Sequence, residues 1–256
     1  MADSIVYGAF AEYYDKFMKS DLDYDSWFSS LLSLLKKNGL KRGGSVLDLA
    51  CGSGAFSNRF AESGFDVVGI DISEEMLAIA LSDAYSMELP RGTAFPLYVR
   101  QDMRALDLYG TVDAAVCCLD GINYLESTDE LKAVFSRVKL FLEPSAPFIF
   151  DINTPYKLET VLADNTFVYE SDDRFCTWEN SFDKETLFST FRLTLFEKQK
   201  NGLWKREAET QSERAFSDAE IISALADSGF ESISVYSSLD GAPVTDTDER
   251  HFFVCR

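Results

Sequence analysis

Histidine is nearly absent from the chain: His251 is the only one among 256 residues. One imidazole cannot build a histidine-based metal site. Its place at the start of the last strand-like run suits a packed or surface ring better than a catalyst. Cysteine is also scarce, with five residues and no C-x-x-C pair. That number favours a reducing cytoplasm over a disulfide framework. Positive charge is short: 24 Lys and Arg stand against 43 Asp and Glu, a net charge of −19. Such a balance argues against duplex DNA and anionic membranes as partners, because phosphate contacts need a basic face. No apolar run approaches the roughly 18 residues that span a bilayer. Met1-Ala2-Asp3-Ser4 lacks the basic and apolar segments of a signal peptide, so a cytoplasmic location is expected.

What is present is a globular composition, 46% hydrophobic and 14% aromatic, at a length that suits one α/β domain plus an insertion. Val46-Leu47-Asp48-Leu49-Ala50-Cys51-Gly52-Ser53-Gly54 has the pattern of a buried strand running into a glycine-rich turn. A helix follows, and Val67-Val68-Gly69-Ile70-Asp71 predicts a second buried strand that ends on a carboxylate. Gly52 and Gly54 remove side chains where backbone must bend beside a ligand. The helix N-terminus aims free N–H groups at the same point. Asp71 stands where a carboxylate accepts both hydroxyls of a ribose. This is half of a nucleoside-binding sheet. The dinucleotide fingerprint G-x-G-x-x-G/A is incomplete, because its third small position is Ser57. Asp48 lies four residues before Gly52 and serves no pyrophosphate. It suits an amine, or braces the turn by accepting backbone N–H groups.

The pattern Asp48-x-x-Cys51-Gly52-x-Gly54 resembles motif I of class I S-adenosylmethionine-dependent methyltransferases. Gln101-Asp102-Met103 follows a third strand-like run, Phe95 to Arg100, where that family takes the adenine. Asp120-Gly121-Ile122-Asn123-Tyr124-Leu125 follows a fourth, Asp113 to Leu119, and matches the motif IV region. Phe10-Ala11-Glu12-Tyr13-Tyr14-Asp15 is similar to the segment that caps the cofactor in small-molecule members. The resemblance covers about residues 7–152. It implies a Rossmann-like α/β fold of seven strands with the last one antiparallel, and S-adenosyl-L-methionine as cofactor. It implies that Tyr14, Trp27, Asp48, Ala50, Cys51, Gly52, Gly54, Asp71, Ile72, Met76, Asp102, Met103 and Leu119 hold that cofactor. Tyr14 and Asn123 would stand beside the reacting atoms. Asn123 occupies the position where the similar aminosugar N,N-dimethyltransferases carry histidine, and an amide is no base at neutral pH.

Outside the nucleoside half, Asp25 or Ser26 is the expected cap of a helix with Trp27, Phe28, Leu31, Leu32 and Leu35 on one face. Ser127-x-x-Glu130 and Ser217-x-x-Glu220 have the spacing of capping boxes. Residues 156–216 break the strand–helix rhythm into alternating runs and predict an antiparallel β meander. It interrupts one methyltransferase domain formed by residues 1–155 and 217–256. The meander is expected to be a substrate lid or the face of a homodimer. Trp178 and Phe182, four apart on one run, are its candidate pocket residues. Asp120, Asp151 and Asn153 form a magnesium set only under an O-methyltransferase reading, and no metal is expected. Cys117-Cys118 lies inside an apolar strand and suits inert thiols. The expected activity is methyl transfer to nitrogen or oxygen of a small-molecule acceptor. An NAD(P)-dependent oxidoreductase and a non-catalytic S-adenosylmethionine-binding regulator are the alternatives.

Overall fold

The computed structural model describes residues 23–256. Tyr14 and the segment Phe10 to Asp15 lie outside the described residues. In chain order the first half comprises α1 (Tyr24–Lys37), β1 (Ser45–Leu49), α2 (Ala55–Glu62), β2 (Asp66–Asp71), α3 (Glu74–Tyr85), β3 (Leu97–Arg100), β4 (Ala114–Cys117), α4 (Thr128–Phe141) and β5 (Phe148–Asn153). The meander follows as β6 (Thr166–Ser171), β7 (Arg174–Asp183), β8 (Phe188–Lys198) and β9 (Trp204–Arg214). The chain closes with α5 (Asp218–Asp227), β10 (Ile233–Tyr236) and β11 (Arg250–Cys255).

The main sheet has the order β10-β11-β5-β4-β1-β2-β3. Strands β1 to β5 pair in parallel, and β11 lies antiparallel between β5 and β10. That is the seven-stranded arrangement the family resemblance implies. Successive residues of each strand feed opposite cores. Leu47 and Leu49 of β1, Ala115 and Cys117 of β4, and Phe148 and Phe150 of β5 pack beneath α4 and α5. Val46, Ala114, Val116 and Ile149 pack on the other side against Phe28, Leu31 and Leu35 of α1 and Phe56 and Phe60 of α2. Burial on both faces is why these strands are continuous apolar runs rather than alternating ones.

The cap of α1 is Asp23, whose carboxylate accepts the Ser26 N–H at 3.0 Å, not Asp25 or Ser26. The helix thus starts two or three residues earlier and buries Tyr24 as well. The capping box at Ser217 is complete, with both reciprocal bonds. At Ser127 only half forms, because the Glu130 carboxylate takes the Glu126 N–H at 2.7 Å instead. The meander is a four-stranded antiparallel sheet, β6-β7-β8-β9. A single π-helical turn, Lys157–Leu162, precedes it and was not legible in the sequence. Its Leu158 and Leu162 seat Phe191, Ala215, Phe167, Trp178 and Phe182 in a separate small core. No helix among the described residues is long and apolar enough to cross a membrane.

Candidate active site

A cleft of about 630 Å³ opens at the carboxyl ends of β1 to β4. The turns that leave those strands supply its floor: Ala50 to Ser53, Asp71 and Ile72, Gln101 to Arg104, and Cys118 and Leu119. This is where open α/β sheets bind ligands, since the strand ends diverge there.

The first turn needs its glycines for two different reasons. Gly52 has φ +53°, and a Cβ there would meet nothing within 4 Å; any side chain would stand in the open cradle. Gly54 has φ +77°, and its Cβ would fall 2.4 Å from the Tyr98 hydroxyl and 2.8 Å from Ala80. Gly52 therefore keeps ligand space open, whereas Gly54 permits close packing of α2 and lies behind the cleft.

Asp48 is buried, and its carboxylate accepts a 2.6 Å hydrogen bond from the Ser57 hydroxyl. Ser57, which spoils the dinucleotide fingerprint, is thus the partner of the acidic residue that distinguishes this turn. Burial raises the Asp48 carboxyl to about 7, with the Ser57 bond opposing the shift. Asp71 accepts the backbone N–H groups of Gly52 and Ser73, each at 2.8 Å. Desolvation raises its pKa too, against those bonds. Each of its oxygens retains a lone pair, so a ribose diol has acceptors to meet. Asp102 is held by Arg104 Nε and Nη2 at 2.6 to 2.9 Å, and Arg104 Nη1 continues to Glu130 at 2.5 Å. The guanidinium bonds lower the Asp102 pKa.

Leu119 and Asp120, both non-glycine, adopt left-handed φ of 60° and 57°. The Asp151 carboxylate fixes them by accepting their N–H groups at 2.8 and 3.0 Å. Arg250 donates to Asp151, to Asp120 Oδ1 at 2.9 Å and to Asn153 Oδ1 at 3.0 Å. The oxygens considered for magnesium are therefore engaged by a guanidinium and by backbone N–H groups.

Of the sequence-expected cofactor residues, Asp48, Ala50, Cys51, Gly52, Asp71, Ile72, Met76, Asp102, Met103 and Leu119 share the cleft. Trp27 does not belong to its lining. Its ring packs against Phe56 and Phe252, with the Arg250 guanidinium 5.4 Å above it. Asn123 is fully buried and is not among the residues that line the cleft. Its amide donates to the Asn153 and Arg214 carbonyls, both at 3.0 Å, and accepts the Asn153 N–H at 2.9 Å. An amide used in this way braces backbone. Trp178 and Phe182 are partly buried and pack against the small core under the meander. Thr210, Gln211 and Ser212 of β9 face the cleft instead. Tyr124 donates to Gln211 Oε1 at 2.8 Å. Periodicity located β9, but nothing in its polar sequence marked it as the wall. His251 lies elsewhere, bonded to Asp218 at 2.9 Å. Cys117 and Cys118 are buried thiols with raised pKa, chiefly from desolvation.

The acceptors in the cleft, the carboxylates of Asp48, Asp71 and Asp102, suit the donor groups of S-adenosylmethionine: an ammonium, ribose hydroxyls and an adenine amino group. Ile72, Met76, Met103 and Leu119 offer apolar surface between them.

Residues 46–145 match the methyltransferase domain family. The Bacillus subtilis chain named "Putative methyltransferase YqeM" is 32% identical over 255 residues, covering 97% of this chain and 96% of that one. The crystal structure of an S-adenosylmethionine-dependent methyltransferase from Clostridium acetobutylicum superposes with a TM-score of 0.86 at 31% identity, covering 98% of each chain. Glycine N-methyltransferase of Rattus norvegicus is 29% identical over 163 residues, covering 59% of this chain and 53% of its own length.

Proposed function

Because the chain belongs to the class I S-adenosylmethionine-dependent methyltransferases, we propose that it methylates nitrogen or oxygen of a small-molecule acceptor, with the meander as the lid. The observation that carries this reading is the position of Thr210, Gln211 and Ser212. They bring the inserted sheet onto the same cleft as the nucleoside-binding turns. A cleft of about 630 Å³ suits a nucleoside with a small acceptor. The net charge of −19 disfavours nucleic acid.

When bound, the cofactor supplies an electrophilic methyl group on a sulfonium. The chain's own residues hold and screen. Asp48 holds the ammonium, Asp71 the ribose and Asp102 the adenine amino group. Gly52 leaves room for the ligand, and Leu119 forms the wall. Tyr124, with Gln211 behind it, offers a polar contact to the acceptor from the opposite side. Positioning and exclusion of water are the main contributions such a displacement needs from protein. A base is required only for an acceptor that arrives protonated. Two relatives carry the names glycine N-methyltransferase and dTDP-3-amino-3,4,6-trideoxy-α-D-glucopyranose N,N-dimethyltransferase. Those names support nitrogen ahead of oxygen.

The test is production of S-adenosylhomocysteine across a panel of amino acids, amino sugars, polyamines and catechols. Acceptor-dependent turnover in one class supports the proposal. Tight cofactor binding with no turnover on any of them would favour the binding-only regulator.

A further inference from the structure

Strand β9 serves two places at once. Thr210, Gln211 and Ser212 line the cleft, while Glu213, next in sequence, is buried and points to β5. There the Glu213 carboxylate accepts the Asn153 amide N–H at 2.8 Å. Asn153 Oδ1 accepts from Lys157 Nζ at 2.9 Å and from Arg250 Nη2 at 3.0 Å. Arg250 continues to Asp120 and Asp151, and Asp151 holds the N–H groups of Leu119 and Asp120. Leu119 is again a cleft residue. Asn123 runs alongside, joining the Asn153 and Arg214 carbonyls. A continuous set of buried and part-buried polar side chains thus links the wall after β4 to the wall made by β9.

Two physical points make this more than packing. Left-handed φ at two adjacent non-glycine residues is a conformation the surroundings must hold, and Asp151 holds both N–H groups. A buried ionic network is also a weak way to stabilise a core, since apolar replacements of like volume are often as good or better. What it supplies is direction: each hydrogen bond fixes one partner against another. Arg250 is held by three oxygens and by the Trp27 ring, so a shift at the turn is transmitted to Asn153 and then to Glu213.

We propose that Arg250 and Glu213 are positioning residues that couple the turn after β4 to β9, so that filling the cofactor wall sets the acceptor wall. The proposal rests on the reading of β9 as the acceptor wall. Its test uses no acceptor, so failure of methyl transfer and failure of the coupling are separate outcomes.

The experiment is hydrogen exchange on the full chain, with and without saturating S-adenosylhomocysteine, read on peptides spanning 118–125 and 204–214. In the unaltered protein the ligand should slow exchange in both by about threefold or more. Glu213→Ala should bind S-adenosylhomocysteine within about threefold of the unaltered protein and keep the response at 118–125, yet lose it at 204–214. Glu213→Gln still offers an oxygen to Asn153 and should restore the response. Arg250→Lys replaces the fork by a point charge. It should weaken ligand binding about tenfold and abolish the response of β9. If Glu213→Ala melts early, Glu213→Leu, which fills the space without accepting, is read in its place. A wild-type response at 204–214 in Glu213→Ala (or Glu213→Leu) or in Arg250→Lys would show that direct contact suffices, and would overturn the coupling. So would an absent response in the unaltered protein.

Discussion

Asp48 is the residue whose chemistry most depends on its surroundings. Burial holds its carboxyl near 7. An unfolded aspartate ionises near 3.9, so the folded state retains a proton that the unfolded state has lost across that interval. The chain consequently loses stability as pH rises from the unfolded value to about 7, and no further above it. An ammonium beside Asp48 favours the carboxylate, so cofactor binding releases that proton below about 7. Affinity for S-adenosylmethionine should therefore climb by up to about tenfold per unit of pH below that value and flatten above it. Asp48→Asn should remove the slope. Calorimetry from acid to neutral pH reads both, and a flat profile in the unaltered protein would place the ammonium elsewhere. Asp71→Ala should weaken the same binding by about 1–3 kcal/mol, since a charged acceptor is lost. The variant also frees the Gly52 and Ser73 N–H groups. A matched melting temperature is therefore the needed control.

Two helices offer a paired comparison at the scale of the element. Ser217 and Glu220 satisfy each other reciprocally, and Glu220 also accepts from Arg214 at 2.9 Å, tying α5 to the end of β9. Ser127 caps α4 alone, because Glu130 is engaged by Glu126 and Arg104. Ser217→Ala should cost about 1–2 kcal/mol and Ser127→Ala about 0.5–1 kcal/mol, read by urea unfolding. Equal losses would mean that the second half of the box adds nothing here. The meander has only small cores of its own, around Cys176 and Leu195 and around Leu158 and Phe191. Its outer strand β6 is mostly exposed. Amides of β6 should exchange well before those of β4 and β5, whose side chains are buried throughout.

For the whole molecule, a net charge of −19 sets a self-repulsion that the ion pairs do not cancel. Raising monovalent salt from about 10 mM to about 0.2 M shortens the screening length from roughly 30 Å to under 10 Å and should raise the melting temperature. A fall on adding salt would show that the paired network around Arg250 and Arg104 outweighs the general repulsion. Removing the meander outright is a poor test of the lid. Asn153 and Asn123 would lose Glu213 and the Arg214 carbonyl, and the cleft would lose its β9 wall. Point changes in the buried network separate these effects.

The nucleoside half of the protein was determined by the sequence alone. Its signals are local: a glycine that must turn, an apolar run that must be buried, and a carboxylate at a strand end. Gly52, Asp48 and Asp71 are therefore legible in the linear chain, and the four strands of the meander follow from alternation. What the tertiary structure decided is everything that depends on distant partners. Ser57 acquired its role only when α2 folded back over Asp48. Asn123, Trp27, Trp178 and Phe182 carry the residue types of a binding site, yet they brace backbone or pack against core because the strands beside them use their polar groups and volume. Arg250 lies 99 residues from Asp151 and 130 from Asp120. No local pattern links such positions. They meet because β11 inserts antiparallel beside β5, which sets Arg250 opposite Asn153 in register.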